Sequence, residues 1–458
     1  MTTAHIRTLG RRDIVLFTVS AILLLDTLAA AAAVGPAAIS WWLILGVIFY
    51  LPFASICAEL GCAYPQQGGI YAWVRDAFGR RWGARVSWCY WINTAVWIPA
   101  IFILFAGVFK QLFFPDLSMA WQIGISIALV WVAMLVNVVT LQVGKWVPNL
   151  GAIFKVVIFL LIMLGAWQYS QENGMANELT LETLSPQWSE SLKYIPAIIY
   201  GMLGFELVSA SAEEMKNPQR DVPLGIFVSG VIIITLYLFG TASILTAIPA
   251  EDVNLVEGLV DTLRMLFEDS YGNAFVILLG VGALYTFFSN GVTWGMGSNR
   301  AACEAAQAGE LPAFLGKSDA RRGTPVGAAI VMGVVASSLL LLYGFLAGSN
   351  EELFWNLFAF SAVIFILPYI VMVFAFLYLR QRDAQHKRPY KVPFGDIGAK
   401  VAAMAVIIVL TLAIILFMYT PGEGAVWEVI LGALLTIGFG EFAIRRAEKH
   451  IHYNKKRR

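Results

Sequence analysis

From residue 13 to residue 444 the chain alternates between apolar runs of twenty or more residues and short, charged connections. About twenty apolar residues is what an α-helix needs to cross the hydrocarbon core of a bilayer. Lipid offers no partners for backbone amides and carbonyls, so each run has to close its own hydrogen bonds as a helix. The runs predict an all-α membrane protein with twelve transmembrane helices, over 13–34, 40–63, 84–113, 121–143, 148–169, 193–212, 223–248, 272–299, 324–347, 352–379, 398–420 and 424–444. Composition excludes the main alternatives. Residues are 59% hydrophobic and 13% charged, against about a quarter charged in soluble domains, so a soluble enzyme is ruled out. A net charge of +1 leaves no basic excess for nucleic acid.

The basic residues set an orientation, because lysine and arginine collect in cytoplasmic loops. They cluster at Arg7, Arg11 and Arg12, at Arg75, Arg80, Arg81 and Arg85, and at Lys145, Lys216, Arg220, Arg300, Lys317, Arg321 and Arg322. The run 380–391 and the tail Lys455–Arg458 complete the set, while Lys110, Lys193 and Arg264 fall on the opposite side. This alternation predicts cytoplasmic termini, 1–12 and a basic tail 445–458, on a multi-pass protein of the inner (plasma) membrane. No room remains for a soluble domain. The longest connections, 250–271 and 300–323, each read as a short amphipathic helix plus a turn.

Four cysteines, Cys57, Cys62, Cys89 and Cys303, fall in spans or on the cytoplasmic side, which predicts no disulfides. Their spacing fits no common metal motif, and the four histidines lie in charged termini or loops. No metal site, cofactor or histidine relay is expected. The polar start up to Asp13 and the length of the first run predict no cleavable signal peptide.

Three ionisable residues sit well inside spans: Asp26, Lys155 and Glu206. A charge in hydrocarbon costs at least a few kcal/mol, so each is a functional candidate. Glu59 and Glu441 lie near span ends, where pairing with basic neighbours is expected. Asp26 and Glu206 each lie about 13 residues, or ~20 Å, into their spans, which run in opposite directions. Equal depth in opposed helices is the geometry of inverted repeats, spans one to five matching six to ten. Beside Glu206, the stretch Tyr200-Gly201-Met202-Leu203-Gly204-Phe205 carries two glycines three apart. These weaken a helix and permit an unwound segment whose free backbone groups hold a polar substrate.

Lys155 is the candidate for proton coupling: an amine in an apolar setting can load and release a proton, or stand in for a bound cation. In the third span Tyr90, Asn93 and Trp97 share one face, a candidate wall for a cationic amine, although most of the aromatics there, Trp88, Tyr90, Trp91 and Trp97 together, are expected to pack or face lipid. Tyr285 and Asn290 in the eighth span are weaker candidates.

Three stretches resemble the amino acid–polyamine–organocation superfamily. They are Ala58-Glu59-Leu60 through Tyr64-Pro65-Gln66-Gln67-Gly68-Gly69-Ile70-Tyr71-Ala72-Trp73-Val74; Gly204-Phe205-Glu206 with Glu213-Glu214-Met215-Lys216-Asn217-Pro218; and Ser298-Asn299-Arg300 through Gly309-Glu310-Leu311-Pro312. The wording is most similar to the glutamate/GABA antiporter branch and, around the first and sixth spans, to polyamine carriers. The resemblance implies a LeuT-like 5+5 inverted repeat over 13–169 and 193–379, with two further helices over 398–444. It implies broken first and sixth helices at the substrate, a gate at Phe205, and Lys155 in place of a sodium site. The family's glycine-rich break in the first helix is here Val19-Ser20-Ala21-Ile22-Leu23-Leu24-Leu25-Asp26-Thr27, without glycine and with an acid. A substrate carboxylate would meet Asp26 with like charge, which is unfavourable in a low dielectric.

The expectation is therefore a secondary transporter, not an enzyme. Asp26 and Glu206 would bind the ammonium groups of a diamine or polyamine. Tyr90, Asn93, Trp97, Tyr200, Gly201, Gly204, Phe205 and Tyr285 would line the site. Movement would be by proton symport or exchange, with spans one, two, six and seven rocking against the rest. The alternative is a glutamate/GABA-type or neutral amino-acid antiporter. A channel would want a ring of like pore residues, and an enzyme a nucleophile–base pair or metal ligands within the membrane; neither pattern is present. The partners implied are a small-molecule amine or amino acid, protons and the lipid bilayer.

Overall fold

The computed structural model describes Val15, 18–19, 21–25, 27–65, 68–139, 146–186, 190–207, Met215, 217–319 and 321–457. Among these residues ten helices are long and apolar enough to cross a membrane. With the shorter helices they run, in chain order, α1 Leu28–Ala32, α2 Ala37–Ala63, α3 Ile70–Phe78, α4 Arg80–Phe113, α5 Met119–Val139, α6 Trp146–Asn173, α7 Leu181–Leu184 and α8 Ile195–Tyr200. There follow α9 Pro218–Ala247, α10 Gly258–Tyr271, α11 Asn273–Gln307, α12 Val326–Leu346, α13 Asn350–Arg382, α14 Gly395–Met418 and α15 Trp427–Arg457. A two-residue hairpin, β1 Tyr419–Thr420 with β2 Gly424–Ala425, pairs antiparallel between α14 and α15.

The ten long helices coincide with ten of the twelve expected runs. The other two runs are interrupted. In the first, Ala21–Ile22 is helical, Leu23–Leu25 is not, and α1 follows. In the sixth, α8 ends at Tyr200, 201–206 is non-helical, and Leu207 is helical again. Both breaks lie among buried side chains, where unpaired backbone is tolerated only against protein or a hydrated cavity.

Two expectations about connections change. Among the described residues the connection after the eighth span carries no separate helix, because α11 continues to Gln307 before the chain turns. Conversely, the basic connection after α2 contains α3, entered through Gly69 at φ 49° and closed by Gly79 at φ 89°. The expected helix in 250–271 is α10.

Burial separates a central set from a periphery. In its most apolar window α4 is 89% buried and α11 and α13 are 67% buried, against 28% for α5 and α15. α4 and α11 run antiparallel: Trp91 donates to Asn299 at 2.9 Å, Trp97 meets Trp294, and Gly280 lies under Leu112. Polar ties gather at the two ends of the bundle. One end holds Arg85 on Glu441 at 3.0 Å, Arg81 on Glu448 at 2.6 Å and Arg380 on Glu59 at 2.5 Å. The other holds Lys193 on Glu423 at 3.0 Å, Gln111 on Asp261 at 2.5 Å and Asn254 on Glu351 at 2.8 Å. Glu59 and Glu441 thus pair with basic residues, as their positions suggested.

Candidate functional site

The centre of the site is Glu206, 1% exposed, at the end of the break that follows α8. Gly204 adopts φ 99°, a conformation L-residues rarely take, which turns the chain so that Phe205 and Glu206 leave the helix axis. The hydroxyl of Tyr369, on α13, donates to Glu206 Oε1 at 2.8 Å. Tyr90, on α4, donates to the same oxygen, and the two phenols lie 3.1 Å apart. Glu206 Oε2 is buried and has no hydrogen-bond partner among the described residues. A buried acceptor without a partner is a cost that a guest N–H or ammonium removes.

Aromatic rings surround the carboxylate. Phe365 meets Tyr90 at 5.5 Å, Tyr369 at 5.0 Å, Tyr200 at 5.5 Å and Trp294 at 6.0 Å between centroids. Tyr200 also packs edge-on to Phe358. Phe205 is fully buried and lies edge-on to Tyr50 at 4.9 Å, whose hydroxyl is fixed on the Ile226 carbonyl at 2.8 Å. Tyr50 ends a π-helical turn, Gly46–Tyr50, within α2. Such a turn re-aims the side chains that follow it. Ring faces beside a carboxylate form an environment suited to organic cations.

The remaining expected residues distribute as follows. Asn93 is buried on α4 and Asn290 on α11, with Asn93 Oδ1 and Asn290 Nδ2 unpartnered among the described residues. Trp97 packs on Trp294, which joins it through Phe365 to the aromatic group around Glu206. Gly201 faces the Trp42 and Tyr237 rings, which a Cβ would meet at 3.2 and 3.3 Å. Lys155 is 2% exposed, on the buried face of α6 with Gly151 and Ile158, the face turned to α11. Tyr285 contacts α6 rather than the carboxylate: its hydroxyl donates to Val147 at 3.3 Å and its ring meets Phe154. Trp88 and Trp91 are packed, on α15 and α11. Asp26 lies outside the described residues.

Sequence reasoning did not select Tyr369, Phe365, Trp294, Tyr50 or Tyr237. A signal existed for the first two. Phe358, Phe365 and Tyr369 recur at helical spacing within one expected span. Polar-tipped aromatics at that depth are candidates on the same footing as Tyr90.

Broken spans around a buried, aromatic-walled carboxylate are the architecture of a membrane transporter. The chain belongs to the amino acid permease family, whose profile matches residues 9–440. It is 33% identical over 441 residues to the probable agmatine/putrescine antiporter of Lactococcus lactis, covering 94% of this chain and 93% of that one. It is 25% identical to the polyamine transporter PUT1 of Oryza sativa, over 85% and 70% of the two chains. Identity to a Lactococcus lactis glutamate/gamma-aminobutyrate antiporter is 24%, over 78% and 73%. Among solved structures, a mutant of the Eremococcus coleocola manganese transporter shares the fold, with a TM-score of 0.61 at 14% identity over 97% and 98% of the chains.

Proposed function

We propose that the chain is a secondary transporter of cationic amines, diamines or polyamines above all, working by exchange or proton symport across the plasma membrane. Twelve spans form two inverted repeats, 13–169 and 193–379, with a C-terminal pair over 398–444 and both termini cytoplasmic. Several pairings five spans apart support this reading. The interrupted first and sixth runs correspond, as do α3 and α10, the short helices after the second and seventh spans. So do α4 and α11, 34 and 35 residues long and antiparallel. The end of the bundle that holds Arg80, Arg81, Arg85, Arg380 and Arg388 is the cytoplasmic one on the charge rule.

The observation that carries the substrate class is the free oxygen of Glu206 within its ring of aromatics. Among the described residues, the hydrogen-bond partners of this carboxylate are phenols rather than cations. An ammonium group supplies the missing charge and donor. Asp26 holds the second ammonium, Tyr90, Asn93, Trp97, Tyr200, Gly201, Gly204 and Phe205 shape the cavity, and Lys155 couples protonation to closure. Rocking of spans one, two, six and seven breaks the cross-tie that Tyr90 and Tyr369 make from α4 and α13 to Glu206. The antiporter named for agmatine and putrescine, the most similar relative described above, fits the same class.

Counterflow in proteoliposomes with labelled putrescine, agmatine, glutamate, GABA and alanine, at two pH values, tests the reading. Uptake of the amines, lost in Asp26→Asn with folding intact, is expected. Exchange of glutamate for GABA without amine uptake replaces it with the anionic-substrate alternative, and normal putrescine uptake by Asp26→Asn removes Asp26 from the site.

A further inference from the structure

The break in the first span has no glycine, so its conformation needs another support. In a continuous helix the Ile22 carbonyl would accept an amide four residues on, and the Leu24 amide would reach four residues back. At Leu23–Leu25 the helix is lost. One side chain takes both backbone groups: the Tyr237 hydroxyl, from α9, donates to the Ile22 carbonyl at 2.9 Å and accepts from the Leu24 amide at 2.8 Å. The phenol is fully buried. Its ring is stacked on Trp42 at 4.9 Å and 9°, and the indole N–H is fixed on Thr241, one turn along α9, at 3.0 Å. Phe159 closes the ring's edge.

The same pair of rings faces the other break. A Cβ on Gly201 would meet Trp42 and Tyr237 at 3.2 and 3.3 Å, and one on Gly204 would meet Ile22 at 3.2 Å. The two interrupted spans therefore touch each other and share one aromatic support, built from α2 and α9. From this geometry we infer that Tyr237 is a positioning residue, whose hydroxyl splices the first-span break into its substrate-binding shape. A phenol is suited to this because one oxygen is both donor and acceptor. A helix opened in the apolar interior otherwise leaves both groups unpaired. The inference rests on the proposed function for its substrate readout, but its structural half stands apart from it.

Tyr237→Phe keeps the stack and removes the splice. In full-length protein in nanodiscs without substrate, hydrogen exchange of backbone amides in 21–25 should rise about tenfold, the scale of one net hydrogen bond. Exchange in the rest of α9 should stay unchanged. In proteoliposomes the KM for putrescine should rise about tenfold while the maximal rate changes less, because the site is misshapen in the ground state. A merely structural role would move stability and not this split. Thr241→Val, which keeps the phenol but frees the indole, is the second variant, and both shifts should recur at smaller amplitude. Exchange over 21–25 that matches the wild type overturns the inference, as does faster exchange with an unchanged KM. If the wild type carries neither putrescine nor agmatine, the functional reading fails, and the exchange measurement alone still decides whether Tyr237 holds the break.

Discussion

At the scale of single residues, the site is a division of labour on one carboxylate. Oε1 of Glu206 takes two phenolic donors and, among the described residues, Oε2 takes none. Glu206→Gln keeps the shape and an acceptor for Tyr90 and Tyr369 but removes the charge. A hydrogen bond to a charged group contributes roughly 1.5–3 kcal/mol, so putrescine affinity should fall on the order of ten- to a hundredfold. Isothermal titration of purified protein measures this, and an unchanged Kd would remove Glu206 from the amine site. Tyr369→Phe removes one donor and leaves Tyr90 in place. We expect a smaller loss of affinity, about tenfold or less, together with weaker anchoring of the break on α13. Counterflow at saturating and at low putrescine separates the two effects.

At the scale of elements, close approach decides which helices can cross. The Tyr50 ring lies across α9 at Gly230, where an added Cβ would fall 1.6 Å from the Tyr50 oxygen. Gly230→Ala must therefore push Tyr50 off the Ile226 carbonyl and out of contact with Phe205. Overpacking of this kind costs about 1–3 kcal/mol, so the melting temperature in detergent should drop and uptake with it. An unchanged melting temperature would show that α2 and α9 part freely. Tyr50 shows why parts of this fold were legible in the sequence and others were not. Span length is written locally, in consecutive apolar residues, and ten runs became long helices. The break after Tyr200 is also local, in Gly201 and Gly204. The break at Leu23–Leu25 is not: the group that pairs its backbone stands 213 residues from Leu24. Residue type singled out Glu206, Tyr90 and Asn93 because a polar group in an apolar run is visible by itself. Tyr369, Phe365 and Trp294 enter only through helix packing, and the same packing turns Tyr285 toward α6.

At the scale of the whole molecule, the two ends of the bundle are held by different chemistry. The arginine-rich end is closed around Glu59, which is fully buried and accepts from Arg380 at 2.5 Å, Arg388 at 3.3 Å and the Val392 amide at 2.7 Å. This ties α2 to the end of α13 and to the segment leading into α14. Glu59→Gln leaves the buried Arg388 with no carboxylate and Arg380 with Asp396 alone, at a cost of about 3–5 kcal/mol. A stable variant with wild-type melting behaviour would contradict that tie. Beside it, an outer layer makes a prediction about pH. Asp383 is hydrogen-bonded by Arg382 at 2.8 Å and by Tyr64 at 2.7 Å. The Arg382 guanidinium first, and the Tyr64 hydroxyl second, hold its carboxyl down to about 2 from an ordinary 3.8. Burial first, and donation to Asp383 second, push Tyr64 up to about 12. A carboxyl lowered by folding stabilises the native state fully above its ordinary value and loses that contribution as pH falls through the lowered one. The pair therefore keeps one protonation state at neutral and mildly acidic pH. Asp383→Asn should melt below the wild type by a constant interval at neutral and mildly acidic pH. That interval should close only between 3.8 and about 2. Closure already near neutrality would show that a group other than Asp383 sets the pH response of this end.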